Sequence, residues 1–460
     1  MYLILDACPK DLLKIVNLEA LFMLTFFTKN PALSIIGIVF GTLVLWPVLH
    51  NLSSENDFDL FMMAAQKWKL QEPVYKNAII HGRFYYYSPL FVTLLQPFLW
   101  LSDFQTETTS IFAGYAWSII TAKAFWSVFN LYILYYFIGE LNQRLQFESR
   151  QTRNWFWGLA LFLCYRWVFL NLWHSQLTLF LLWAMYHSAL PKHKNIYSQW
   201  WSIIAGINIK IVPGLWLLKM GFEKKLEEIA WICAGFILLL FIPIFFFPSG
   251  YVIEETMEWV QRINPLKSQH VITLGEGGFI DVASLVVKYF TRVTLENEPT
   301  VALADWGLTP IFWVSQIMRV LILGGILFLW KLILKSKVYE PSLLIFALFS
   351  MGIPLIFPHQ RDYSLAFLMP AVLYLVYAYV TQLYWMNSVL SALTFVSLVL
   401  MGNVLFFEIF SYEMRVWLIG VRLQGLGALM FYLCFGAFVI DYCRDTRLTD
   451  KPENEQSYLR

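Results

Sequence analysis

Charge is scarce in this chain of 460 residues: only 14% of it is Asp, Glu, Lys or Arg, against about 25% in an average soluble domain. That shortage excludes a water-facing surface over most of the length. The two signs almost cancel, with a net charge of +2, which argues against a nucleic-acid partner. Cysteine is also sparse. The five (Cys8, Cys164, Cys233, Cys434 and Cys443) show no close pairing, and several lie in apolar runs. They read as small buried hydrophobes and not as a disulfide frame or a zinc site. No metal-ligand spacing is recognisable, so no metal is expected. The adjacent glycines of TLGEGGFIDVASLVVKYF lack the lysine and hydroxyl of a phosphate-binding loop. Internal repeats and low-complexity tracts are missing too. The N-terminus has no basic leader followed by a small-residue cleavage site, so residues 1–31 are expected to remain as an interfacial cytoplasmic segment.

What is present is apolar: 59% of the residues are hydrophobic and 18% aromatic. A membrane-crossing helix needs about 20 mostly apolar residues. Such runs fall at 32–50, 115–140, 154–171, 174–190, 228–248, 309–334, 340–357, 363–383, 386–410 and 414–442. Two weaker runs lie at 86–102 and 199–219. The reading is an all-α polytopic membrane protein of about 10–12 spanning helices, with interfacial helices in its longer loops. Residues 32–357 form the main transmembrane module, 358–442 the C-terminal helices and 443–460 a polar cytoplasmic tail. No partner chain is called for, and a monomer is expected.

Basic residues favour the cytoplasmic side. Arg144, Arg150, Arg153, Lys192, Lys194, Lys224, Lys225, Lys331, Lys335, Lys337, Arg444, Arg447 and Lys451 share one face if 86–102 does not cross and 199–219 enters and leaves from that face. Lys210 and Pro213 interrupt the latter run, and broken helices at membrane depth are tolerated only against protein or a cavity. The opposite, external face then collects residues 51–87, the turn 171–176, the loop 249–308 and FPHQRDY at 357–363. The long connections 51–114 and 249–308 are the places to look for function.

Residues 57–69 have apolar side chains at Phe58, Phe61, Met62 and Ala65, a helical spacing, in a helix expected along the membrane surface. Ser54 and Asp57 fit an S-x-x-D capping box, and Asp59 adds a second acid. Glu254, Glu255 and Glu258 read as the wet face of another interfacial helix.

The order NDFDLFMMAAQKW, EPVY, FYYYSPLFVTLLQPF resembles the first external loop of glycosyltransferase family 87, the polyprenol-phosphate-dependent mannosyltransferases of the glycosyltransferase C superfamily. Asp57-Phe58, Ala64-Ala65, Pro73 with Tyr75, and Tyr87-Ser88-Pro89-Leu90 carry the likeness. Farther on, Gln176, Gly206, Lys210 and Pro213 match the family's Gly-Gln-x-Asn helix start, small-residue helix and Lys-x-x-Pro break. Ser175 and Thr178 depart from it. IPLIFPHQRDYSLAFLMPA is similar to the late His-His signature, with Pro358 and Pro370 in place. Tyr363 and Ser364 stand where the histidines would be, and His359 comes earlier.

The resemblance implies transfer of a sugar, mannose as the family's usual cargo, from a polyprenyl-phosphate carrier to a hydroxyl on a glycolipid or glycan. Inversion at the anomeric carbon needs one base, and no cofactor beyond the lipid-linked donor is implied. Asp57 is expected to be that base, with Asp59 as runner-up or acceptor ligand. The departing phosphate needs cations and donors: Lys210, His359 and Arg361, with Arg262, Lys267 and His270 also within the external loops. Lys210 reads as a buried functional lysine against snorkelling, and Arg361 as either a ligand or an ion pair with Asp362. His174 reads as a sugar ligand or a cap. Gln176, Tyr87 and Glu276 complete the sugar and acceptor contacts. The carrier's tail would enter near 273–290. The expected location is a bacterial inner membrane, with the site facing the periplasm. A secondary transporter, or a lipid-linked glycan polymerase or ligase, are the alternative readings of such a many-spanning chain.

Overall fold

The computed structural model describes residues 45–52, 56–77, 79, 83–100, 117–190, 196–264, 266–267, 279–292, 301–402 and 410–448. Among them the chain is an all-α polytopic membrane protein with no strand. The expected segment 1–31, most of the run 32–50, Glu276, His270 and the end of the tail lie outside the described residues.

Residues 45–52 are helical. Then follow α1 (Asp57–Lys69), α2 (Pro89–Leu94), α3 (Gln96–Trp100), α4 (Trp117–Arg144), α5 (Arg150–Trp173), α6 (Thr178–Ala189), α7 (Ile196–Ile209) and α8 (Leu215–Phe222). The remainder comprises α9 (Leu226–Leu240), α10 (Ser249–Arg262), α11 (Val282–Phe290), α12 (Leu308–Leu334), α13 (Pro341–Ile356), α14 (Met369–Val380), α15 (Ser388–Leu400), α16 (Tyr412–Gly420) and α17 (Leu423–Leu448). Six described segments are long and apolar enough to cross a membrane: those built on α4, α5, α9, α12, α14 and α17. The runs 86–102, 174–190, 199–219, 340–357 and 386–410 form shorter or broken helices. Helix α17 continues to Leu448, so the first residues of the polar tail expected from Cys443 are helical.

The first helix shows how local sequence sets a start point. Asn56 is the N-cap: its side-chain oxygen accepts from the Phe58 N–H at 2.8 Å, and Asp59 reaches back to the Asn56 N–H at 2.7 Å. This is a capping box, placed two residues later than the expected Ser54–Asp57 pair. Asn56 takes the cap, so Asp57 occupies the first helical position with its carboxylate unused by the helix. The apolar stripe faces protein. Phe58, Phe61, Met62, Ala65 and Trp68 are all buried, as are Leu60 and Ala64, because the α2–α3 corner and α4 cover the helix.

The broken run 199–219 is a hairpin. Pro213 lies against Gly206, where an added Cβ would stand 3.2 Å from the ring, a distance a straight helix could not give residues so far apart in sequence. The chain therefore doubles back at Ile211–Gly214. Its descending arm packs through Trp216 on Phe346 and Phe349, and through Phe222 on Trp330. Several of the expected cytoplasmic loops meet at that lower end: Arg144 pairs with Glu340 at 2.6 Å, and the Tyr377 hydroxyl donates to Gln146 O. The hairpin apex meets the opposite end.

Between lipid-facing helices there is no strong hydrophobic drive, so close approach at small residues carries the packing. Gly427 of α17 is such a point: an added Cβ would sit 2.9 Å from Leu400 Cβ and 3.0 Å from the Met401 nitrogen. Gly427→Ala is therefore expected to cost about 1–3 kcal/mol by overpacking and to lower the melting temperature in detergent. Gly139→Ala on α4, where nothing lies within 4 Å, should leave that temperature unchanged or raise it.

Candidate functional site

At the upper end of the bundle lies a cavity of about 190 Å³. It draws Asp57 from the start of α1, Arg83 and Tyr87 from the strap 83–88, Lys210 from the hairpin apex, Arg262 from the end of α10, and His359 and Arg361 from the turn after α13. Three of the four external elements anticipated from sequence thus share one chamber. The fourth, the turn 171–176, reaches it through Gln176.

The Asp57 carboxylate is held at both oxygens. Gln176 Nε2 donates to Oδ2 at 2.8 Å, and Arg83 Nη1 lies 2.9 Å from Oδ1. Gln176 is itself buried, and its backbone is tied to α5 and α4. It is 1% exposed, its N–H donates to Asn171 O at 2.8 Å, and its carbonyl accepts from Trp126 Nε1 and Asn130 Nδ2, each at 3.1 Å. It positions Asp57 and does not line the chamber, in contrast to the sugar or acceptor contact expected of it.

Asp59 is not placed as a second base or acceptor ligand. Its carboxylate closes the capping box and pairs with Lys123 Nζ of α4 at 2.9 Å, with Lys123 fully buried. A buried carboxylate needs such a cation, and that need turns Asp59 away from the cavity. His174 also falls outside the lining. It is the C-cap of α5, its N–H bonded to Leu170 O at 3.0 Å, and its ring lies 6.4 Å from Tyr363.

Lys210 is brought to the chamber by the strap. The Ser88 N–H donates to Ile209 O at 3.3 Å and the Ser88 hydroxyl to Asn208 O, so the apex is stitched beside Tyr87. Lys210 Nζ stands 5.4 Å from the centre of the Tyr87 ring, a cation–π distance. Lys210 lies at the turn, outside the six spanning segments. Burial lowers its ammonium to about 8, opposed by the nearby Asp57 charge. Burial also holds the Tyr87 phenol well above its ordinary value, so this hydroxyl is a neutral donor and not a base.

His359 has φ of 59°, a left-handed conformation uncommon outside glycine. Its ring stacks on Tyr86 at 4.3 Å and meets Phe279 edge-on at 5.3 Å. The Ile280 N–H donates to Gln360 O at 2.8 Å, tying this turn to the segment before α11. Arg361 lies over Phe279 at 5.5 Å, and the neighbouring Asp362 carboxylate accepts from the Tyr363 N–H. Arg262 spans Tyr75 O and Lys76 O with its guanidinium and covers the Phe84 ring at 4.2 Å.

Three residues escaped sequence reasoning. Arg83 sits unremarked in the aromatic run GRFYYYSP. Lys123 is one lysine in an apolar helix, a signal that a buried acid must face it. Glu255, expected on a wet face, is 3% exposed, and its Oε2 accepts from the Val74 and Tyr75 N–H groups at 2.9 and 3.2 Å. Burial raises its carboxyl and those two backbone donors oppose the rise. Glu255 fastens the turn 72–76, so only Glu254 of the three glutamates is exposed.

Among the described residues no group of three His, Cys, Asp or Glu side chains could hold a metal ion. Compared with family models, curated proteins and solved structures, the chain matches none.

Lys123→Met strands the Asp59 charge and is expected to cost about 3–5 kcal/mol, seen as a lower unfolding midpoint in detergent. Adding Asp59→Asn, which removes the charge but leaves an acceptor for the Asn56 N–H, should recover most of that loss.

Proposed function

We propose that this protein is an integral-membrane inverting glycosyltransferase, moving a sugar from a polyprenyl-phosphate carrier to a hydroxyl acceptor. One observation carries the reading. The one carboxylate that lines the chamber among the described residues, held by a buried amide, shares it with Lys210, Arg361 and His359 between the rings of Phe84, Tyr86 and Tyr87. A base and several cations in one chamber suit in-line displacement of a phosphate from an anomeric carbon.

The steps follow from that disposition. The acceptor hydroxyl gives its proton to the Asp57 carboxylate as its oxygen bonds to the anomeric carbon. The bond from that carbon to the phosphate oxygen breaks, and its electron pair leaves with the polyprenyl phosphate, which becomes a monoester. A carboxylate is a weak base at neutral pH. It suffices because the hydroxyl proton becomes acidic only once the carbon–oxygen bond is forming. The growing phosphate charge is met by Lys210, Arg361 and His359, as preorganised cations and donors stabilise developing anions. The aromatic walls suit the apolar faces of a pyranose ring.

Mannose is the proposed sugar, from the resemblance, and the acceptor is a glycolipid or glycan. The proposed setting is a bacterial inner membrane with the chamber open to the periplasm, since the basic loops gather at the other end.

Asp57→Asn should lower transfer from a polyprenyl-phosphate sugar by about 10²–10⁴-fold with protein level unchanged; full activity in that variant refutes the base assignment. Lys210 supplies a second test. It is cationic below about 8 and neutral above, so kcat/KM for the donor should fall as pH rises through that value. In Lys210→Arg the fall should disappear.

A further inference from the structure

We infer that Arg83 is a displaceable latch on Asp57, masking the base in the empty site and passing to the donor phosphate when the carrier binds. The inference rests on the proposed transfer from a phosphate-linked donor, and adds to it how donor binding uncovers the base.

The starting point is that both Asp57 oxygens are engaged, by Gln176 and by Arg83. Each carboxylate oxygen keeps a second lone pair, but of the two partners only Arg83 lines the chamber beside Asp57, so its guanidinium crowds the side from which an acceptor hydroxyl must reach Oδ1. Gln176, 1% exposed, cannot swing its amide aside without disturbing the packing that buries it. Arg83 can. Its side chain is 38% exposed, against 14% for Asp57, and it lines the same chamber as Lys210, His359 and Arg361.

The strap that carries Arg83 is pinned on both sides. Arg83 O accepts from the Ile79 N–H at 2.8 Å, and Tyr86 O accepts from Trp259 Nε1 at 3.1 Å. Movement is thus confined to the long side chain. A guanidinium fork matches two phosphate oxygens at once, whereas its contact with Asp57 is through a single nitrogen at 2.9 Å. A phosphate diester seated among the chamber's cations therefore competes for Arg83 with a better fit. The exchange frees Oδ1 only when the donor is in place. No bond is made or broken in it; one ion pair replaces another.

The latch fixes the sign of a coupling that can be read without catalysis. Affinity for a polyprenyl monophosphate in detergent micelles is measured by isothermal titration for wild type, Arg83→Gln, Asp57→Asn and the double variant. With a latch, Arg83 must leave Asp57 to reach phosphate, so its full contribution appears only when Asp57 is neutralised. Arg83→Gln should then weaken binding more in the Asp57→Asn background than in wild type, by an additional factor of about two to five, the worth of a partly exposed ion pair. If Arg83 is a fixed clamp, it only screens the Asp57 charge, and Arg83→Gln weakens binding less in the Asp57→Asn background. That result, or strict additivity, overturns the latch. Arg83→Met repeats the cycle should the glutamine variant fold poorly. Transfer assays on the same proteins separate the two readings. An inactive Asp57→Asn enzyme with the clamp sign sinks the latch alone, whereas a fully active one sinks the base and leaves the coupling to be judged on binding.

Discussion

A charge withdrawn from water must find a partner, and at the head of α1 that requirement sorts two acids that stand two residues apart. Asp59 meets Lys123 inside the bundle and closes the cap with Asn56. Asp57, relieved of capping, turns the other way and meets Gln176 and Arg83. Desolvation explains the sorting: a buried carboxylate without a cation costs several kcal/mol, so the acid nearest Lys123 is committed to structure. The neighbouring acid is left to face the chamber. The position of the α1 start relative to α4 depends on that one buried pair, and the placement of the carboxylate in the chamber depends on the α1 start.

The rest of the chamber is built by tying irregular backbone to helices. Non-helical segments at the upper end need partners for their N–H and C=O groups, and they obtain them from side chains far away in sequence. Glu255 receives two N–H groups of the 74–75 turn, Arg262 takes the carbonyls that follow, and Ser88 binds the hairpin apex. These ties also aim functional groups. The bond from Ser88 to Ile209 sets Lys210 beside Tyr87, and the Ile280–Gln360 bond holds the turn on which His359 adopts its left-handed backbone. Strained conformations persist where surrounding contacts over-determine them, and the ring stack on Tyr86 is such a contact.

The apolar runs of the chain dictate long helices, and the placement of basic residues in short loops marks one end of the bundle. That much is local information. The convergence of Asp57, Tyr87, His359 and Arg361 was legible because each lies in an element that the same face count sends to one end. For Lys210 only the break was legible: a lysine near a proline in an apolar run announces it, but the same count has that run enter and leave from the opposite face, and the fold alone brings the hairpin apex to the chamber. The misreadings have a shared origin. Ser54–Asp57 and Asn56–Asp59 both satisfy the capping pattern, and neighbouring residues alone do not rank them. Glu255 has the spacing of a wet face, and only the turn 72–76 lying over it makes it buried.

By itself, then, the sequence determined an all-α membrane architecture, the break at Lys210 and an acid-rich start to α1, because helical periodicity and hydropathy act between residues a few positions apart. Tertiary structure alone decided which acid faces the chamber and what holds it. Gln176 lies 119 residues from Asp57, Lys123 lies 64 from Asp59, and Glu255 lies 181 from Val74. Pairings over such distances are set by how helices stack and which charges are stripped of water together, and no local pattern encodes that.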